Sequence, residues 1–161
     1  MKKIFTLCII YQHPKVLLGM KKRGFGTGRW NGFGGKVEEG ESIEEGALRE
    51  LKEECTLEAI EIDKVGIINC EYKDDSMEME MHIFRINKFK GEPKESEEMR
   101  PEWFYIDEIP FSQTLSTTSF WMPMFLKGRK FKGRFLLDRP SVKNYSAKIL
   151  EKKELIEVEE I

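Results

Sequence analysis

The sequence predicts an α/β (α+β) sandwich built on a mixed β-sheet, and three observations carry that prediction. Segments of strand character recur from one end of the chain to the other, with only one or two helical segments between them. One of them, residues 77–87, alternates apolar and polar side chains with period two. One stretch, residues 43–55, carries a complete helix-start signal and a helical apolar stripe. The 161 residues, 40% hydrophobic and 35% charged, suit one domain with a real core, spanning 1–161 with 147–161 as an additional C-terminal segment.

Residues 3–11 (KIFTLCIIY) and 16–20 (VLLGM), joined by Gln12-His13-Pro14-Lys15, read as a hairpin. The stretch from Gly24 to Gly35 is too glycine-rich for helix. Ser42 and Glu45 form a capping box, because each side chain can satisfy the other residue's orphan amide. The helix that follows presents Ala47, Leu48, Leu51 and Cys55 as its stripe. Residues 59–72 and 77–87 read as strands, the second with Met77, Met79, Met81 and Ile83 on one face and Glu78, Glu80 and His82 on the other. A polar loop over 92–98 leads to a short strand at 102–106. A short helix is expected over 119–127, against the preference of Pro123, and a strand over 131–138. The charged tail from Ala147 is expected to be helix or a frayed end.

A net charge of −2 excludes the strongly basic footprint of a duplex nucleic-acid binder, and no segment approaches the roughly 18 apolar residues of a membrane span. Cys8, Cys55 and Cys70, with no C-x-x-C pair, argue against a disulfide framework and a zinc ribbon. The N-terminus shows no cleavage pattern. A cytoplasmic monomer is the resulting expectation.

The near-zero net charge conceals an uneven distribution. Residues 38–58 hold nine glutamates against Arg49 and Lys52, a local −7, which leaves +5 for the remainder of a chain whose sum is −2. Nine of the 13 glycines fall between Gly19 and Gly46. Glu50, Glu53 and Glu54 stand at i, i+3 and i+4, so they share a helical face set well away from the apolar stripe. Crowded carboxylates repel unless a cation lies among them, and hard oxygen donors suit Mg²⁺, with Mn²⁺ as the alternative. A solvated acidic face is the competing reading. The adjoining glycine loop favours the cation, since bare backbone amides can approach phosphate closely. Neither common nucleotide loop fits it. Gly24-Phe25-Gly26-Thr27-Gly28 lacks the dinucleotide spacing, and Gly35-Lys36 is followed by Val37 rather than Ser or Thr.

Gly35, Glu41 and the run Arg49-Glu50-Leu51-Lys52-Glu53-Glu54 together resemble the Nudix box, a pattern that fixes many positions across 23 residues. Lys15–Val37, Glu95–Phe104 and the Ser119/Trp121/Pro123 segment further resemble the oxidised-purine triphosphatase branch of that family, over roughly residues 3–137. The resemblance implies an α/β/α sandwich and Mg²⁺-dependent hydrolysis of a nucleoside triphosphate to the monophosphate and pyrophosphate. It implies metal ligation by Glu50, Glu53, Glu54 and Glu98 with the backbone of Gly34 and Gly35. Water activation would fall to Glu53 or Glu54, with Glu98 as a further metal or base carboxylate. Glu41 and Arg49 would brace the loop–helix junction. Thr6, Lys21, Phe25, Asn31, Phe33, Lys36, Met79, Met99, Leu115, Thr117, Thr118 and Trp121 would hold the nucleotide, Asn31 through its paired donor and acceptor and Trp121 by stacking.

This chain departs from the family pattern in three places. Thr56 stands where the box has glycine, and a left-handed cap there costs about 1–2 kcal/mol. Thr117 and Thr118 replace two neighbouring aspartates, and Leu115 replaces a tryptophan. In strand 59–72, Cys70 and Tyr72 replace other contacts. The expectation is therefore that hydrolysis is kept while selectivity for oxidised purines is weakened or altered. Two alternatives stand beside this reading: a nucleoside diphosphate linked to another group as substrate, and a non-catalytic nucleotide- or RNA-binding module on the same scaffold.

Overall fold

A computed structural model describes residues 1–161. The expected hairpin forms from β1 (Lys2–Gln12) and β2 (Lys15–Lys21), followed by a two-residue strand β3 (Trp30–Asn31) and helix α1 (Ile43–Cys55). Strands β4 (Glu58–Tyr72), β5 (Glu78–Lys90) and β6 (Met99–Tyr105) come next, then helix α2 (Thr118–Leu126) and strands β7 (Lys130–Leu137) and β8 (Ile149–Val158). β1 runs parallel to β5 and β4 parallel to β7, while the other pairings are antiparallel, so the sheet is mixed. No helix is long and apolar enough to cross a membrane.

Alternation along the central strands divides the core into two layers. Leu7 and Ile9 of β1 join Met79, Met81 and Ile83 of β5 and the α2 residues Trp121, Met122 and Phe125. Cys8 and Ile10 join Phe84 and Ile86 of β5 and the α1 residues Ala47, Leu51 and Cys55 on the opposite face. The sheet is thus covered on both faces, which is the expected α/β/α sandwich. It also corrects the two-faced reading of residues 77–87. His82, placed on the polar face, is buried, because both faces are packed at mid-strand.

The capping box at Ser42 is present, with Glu45 N–H donating to Ser42 Oγ at 3.0 Å and Ser42 N–H donating to Glu45 Oε1 at 3.1 Å. Leu48, assigned to the apolar stripe, is instead half-exposed at the helix flank. Thr56 caps α1 in the left-handed region at φ 67°, as its replacement of glycine implies; its Oγ1 donates to the Glu92 carbonyl at 3.1 Å. α2 forms with Pro123 inside it. The tail is neither helix nor frayed. Residues 149–158 pair with β7 as an edge strand, whose charged side chains face solvent on both sides.

Candidate active site

The site is built by a hairpin that splays. β2 is bonded to β6 along one whole edge; its other edge pairs with β1 only at Lys15–Leu17, then with β3 at Gly19 and Met20. Residues 33–37 occupy the gap beside β1, with Thr6 N–H donating to Gly35 O (2.9 Å), Val37 N–H to Ile4 O (3.0 Å) and Phe33 N–H to Cys8 O (2.9 Å). This wedge needs glycine for steric reasons. A Cβ on Gly34 would lie 1.8 Å from the Thr6 carbonyl oxygen, and one on Gly35 would lie 2.6 Å from the Glu50 carboxylate. The glycine run of the sequence is therefore a strand-like insert that brings backbone amides against α1.

The three helix carboxylates, placed by the sequence on one helical face, are not equivalent. Glu54 is 2% exposed, whereas the side chains of Glu50 and Glu53 are 15% and 59% exposed. The wedge covers the flank of α1 that carries Glu50 and Glu54 and leaves Glu53 outside. Gly34 N–H donates to Glu54 Oε1 at 2.7 Å, while Glu54 Oε2 is buried with no hydrogen-bond partner. Burial pushes the Glu54 carboxyl up to about 7, against the pull of Lys21 and the Gly34 amide. Burial likewise raises Glu50, with Arg49 opposing it. Glu98, on the loop before β6, is lowered: partial burial acts upward, but Lys21 and Arg23 outweigh it.

Arg49 organises the outer side. Its guanidinium donates to Glu41 at 2.7 and 3.0 Å, to Glu50 at 2.8 Å, to Glu53 at 3.3 Å and to the Lys36 carbonyl at 3.2 Å. The Arg49 hydrogen bonds hold Glu41 down at about 2. Glu41 and Arg49 thus sit where a brace between loop and helix belongs. No three acidic, histidine or cysteine side chains converge closely enough to hold an ion as they stand. Arg49 and Lys21 occupy the carboxylates instead. The donor set nevertheless fits a hard divalent cation: several carboxylate oxygens, one of them an orphaned oxygen in a buried position, beside a bare glycine backbone.

From these carboxylates a cleft runs inward, walled by Thr6, Lys21, Phe25, Asn31, Met79, Met99 and Leu115. Through Phe25, Met79, Met81 and Leu115 it joins a second, mostly apolar chamber that includes Thr117. Four expected nucleotide contacts lie outside both spaces. Phe33 is fully buried in the α1 layer because its strand position points away from the cleft. Lys36 offers only its carbonyl, to Arg49. Thr118 is buried at the start of α2. Trp121 is fully buried and stacks on Phe131, with ring centroids 5.8 Å apart, so it packs the core rather than a ligand. Sequence reasoning missed Leu137, Ser141 and Ala147, which close the chamber from the segment between β7 and β8. It also missed Arg23, which faces Glu53, Glu54, Ser96, Glu97 and Glu98 across the cleft mouth. Met81 was legible, since it continues the Met77/Met79 alternation.

A NUDIX domain is matched over residues 1–122, a span that contains the wedge, α1 and Glu98. The chain belongs to the Nudix family. Its Nudix relatives include an oxidized purine nucleoside triphosphate hydrolase of Mus musculus, 50% identical over 145 residues, with 89% of this chain and 93% of that one covered. The Danio rerio protein of the same description is 51% identical over 133 residues, covering 83% and 85%. Among solved Nudix-type structures, a MutT protein from Bacillus halodurans superimposes with a TM-score of 0.73 at 27% identity, covering 92% of this chain and 97% of that one. The mouse alignment is longer than the residue 3–137 span over which the motifs resemble the family.

Proposed function

We propose that this Nudix chain is a divalent-cation-dependent hydrolase that cleaves a nucleoside triphosphate to the monophosphate and pyrophosphate, with oxidised purine nucleotides among its substrates. The observation that supports it best is the cleft's polarity. Carboxylates and bare glycine backbone stand at its mouth, and an apolar chamber stands at its end. A phosphate chain and a base call for those two environments in that order. The half-identical mouse and zebrafish relatives are named for this substrate class.

In this reading Glu50, Glu53, Glu54 and Glu98, with the backbone of Gly34 and Gly35, hold Mg²⁺, or Mn²⁺ in its place. The bound cation would neutralise phosphate charge and lower the pKa of water. Arg23 and Lys21, freed from their carboxylates, are placed to engage phosphate oxygens. A water attacks phosphorus, its proton passes to Glu53 or Glu54, and the bond to the pyrophosphate oxygen breaks. Asn31 and the apolar walls orient the nucleoside.

Glu53→Gln keeps shape and removes the ionisable group on an exposed side chain. Turnover is expected to fall by at least about a hundredfold with nucleotide binding kept. Unchanged turnover would refute the role, and nucleotide binding by a wild-type chain that hydrolyses none would favour a binding module instead.

A further inference from the structure

One wall of the apolar chamber comes from a segment that hydrolysis does not use. Residues 139–147 join β7 to β8 and lie beyond the residues 1–122 matched to the NUDIX domain. Ser141 and Ala147, both buried, line the chamber from this flap. The flap is pinned at its ends. Asp138 N–H donates to Lys148 O at 3.0 Å, and Asp138 Oδ1 accepts from Lys148 N–H and from Arg139 N–H, each at 2.8 Å. Asp138 Oδ2 accepts from the Tyr145 hydroxyl, and the Arg139 guanidinium lies over the Tyr145 ring, 3.6 Å from its centroid. Within the flap Val142 and Tyr145 exchange backbone hydrogen bonds at 3.0 Å, and Ala147 N–H donates to Ser141 Oγ at 2.9 Å. A loop with joined ends and a satisfied interior behaves as one body. The facing lip is built differently. Gly24, Gly26 and Gly28 all have positive φ, Phe25 between them is half-exposed, and the lips meet through one long hydrogen bond, Gly26 N–H to Ser141 O at 3.4 Å.

We propose that Asp138 is a positioning residue whose carboxylate holds residues 139–147 as a fixed wall, against which the Gly24–Gly28 turn closes the chamber. Asp138 does not itself line the chamber, so it acts on an occupant only through Ser141 and Ala147. Its two oxygens reach both ends of the flap and, through Tyr145, its middle. Without them the base of the flap keeps only the bond from Asp138 N–H to Lys148 O. The Tyr145 hydroxyl foremost, with the backbone amides, holds the Asp138 carboxyl below its usual range against the opposing effect of burial, so the pin stays ionised at neutral pH. That the chamber's occupant belongs to a nucleotide rests on the reading of the cleft given above; the wall itself does not.

Cys70 reports on the wall without turnover. It is a free thiol, 7% exposed, that lines the same chamber, whereas Cys8 and Cys55 are fully buried in the α1 layer. The native full chain is treated with iodoacetamide, and alkylation at each cysteine is followed by peptide mass spectrometry. Asp138→Ala is expected to speed reaction at Cys70 by at least about tenfold while Cys8 and Cys55 keep their wild-type rates. Asp138→Asn, whose amide oxygen still accepts from both backbone N–H groups, is expected to return Cys70 to within about threefold of wild type. In turnover of 8-oxo-dGTP, Asp138→Ala is expected to raise KM by about three- to tenfold with kcat within about twofold. An unchanged Cys70 rate in Asp138→Ala, or an equal rise at all three cysteines, which is loosening of the whole fold, overturns the proposal. Protection of wild-type Cys70 by 8-oxo-dGMP checks the nucleotide reading separately: its absence overturns that reading, while the Asp138→Ala comparison still decides the wall.

Discussion

The Lys21 ammonium lies between two carboxylates from opposite walls of the cleft, 3.5 Å from Glu54 Oε2 on α1 and 3.4 Å from Glu98 Oε2 on the loop before β6. Of the ion pairs in the cleft, only that with Lys21 reaches the Glu54 oxygen that has no hydrogen-bond partner. Glu54 and Glu98 would hold a divalent ion in place of the ammonium, which would leave Lys21 available to phosphate oxygens.

Glu54→Gln is the direct test of that relationship. The substituted amide can still accept from Gly34 N–H, so the wedge keeps its anchor. Melting temperature in chelator is expected to hold or rise, because the desolvation of this buried carboxylate outweighs what Lys21 and the Gly34 amide return. Turnover is expected to drop by at least about a hundredfold, and the stabilisation that Mg²⁺ gives the wild type (about 2.7 kcal/mol at a hundred times its Kd) to shrink sharply. An equal Mg²⁺ response in both proteins would show that Glu54 does not ligate.

Proton and metal should compete at the same carboxylate. At pH 4 both folded and unfolded chains hold the Glu54 proton, so it contributes nothing. As pH rises past its ordinary 4.5, the unfolded chain releases the proton, while the folded chain keeps it until about 7. The metal-free fold therefore loses stability across that window, on the order of 3 kcal/mol, and levels off above it. Cation binding needs the ionised form, so the gap in melting temperature between Mg²⁺ and EDTA is expected to widen from pH 5.5 to 8. A flat gap would contradict the assignment.

Thr56 offers a stability test far from the chemistry. A β-branched residue at φ 67° is strained, and asparagine tolerates that conformation while keeping a polar side chain near the Glu92 carbonyl. Thr56→Asn is expected to stabilise the fold by about 0.5–1 kcal/mol in urea titration, with turnover unchanged. Destabilisation would mean that the hydroxyl bond outweighs the strain.

Base selectivity should be shallow. With neutral hydroxyls where the family pattern has two aspartates, kcat/KM for 8-oxo-dGTP and 2-hydroxy-dATP is expected to exceed that for dGTP and dATP by less than about a hundredfold. A strong, exclusive preference for the oxidised pair would overturn this.

Much of this was legible in the chain, and what was not had physical reasons. The boundaries of α1, its capping box and the Thr56 cap follow from local rules that hold regardless of surroundings. The hairpin was equally plain, but its splay was not, since the wedge that opens it comes from residues 33–37 rather than from β1 or β2. Trp121 shows the limit of pattern: an aromatic side chain stacks on whatever lies opposite, and only tertiary structure shows that to be Phe131. β8 escaped because an uncovered edge strand needs no apolar alternation, and residues 149–158 are largely charged. Ser141 and Ala147 reach the chamber from a loop whose own sequence carries no sign of a ligand.

The joint between the two parts of the cleft has an evolutionary corollary. Glu50, Glu53, Glu54 and the wedge come from the first half of the fold, with Glu98 added from the loop before β6, whereas Cys70, Tyr72, Thr117, Leu137 and Ser141 line the far chamber from β4 onward, and the two ends meet across a short shared wall. Substitutions can therefore accumulate at the far end without touching the hydrolytic end. On this scaffold the base end of the cleft can change one side chain at a time while the hydrolytic end stays intact.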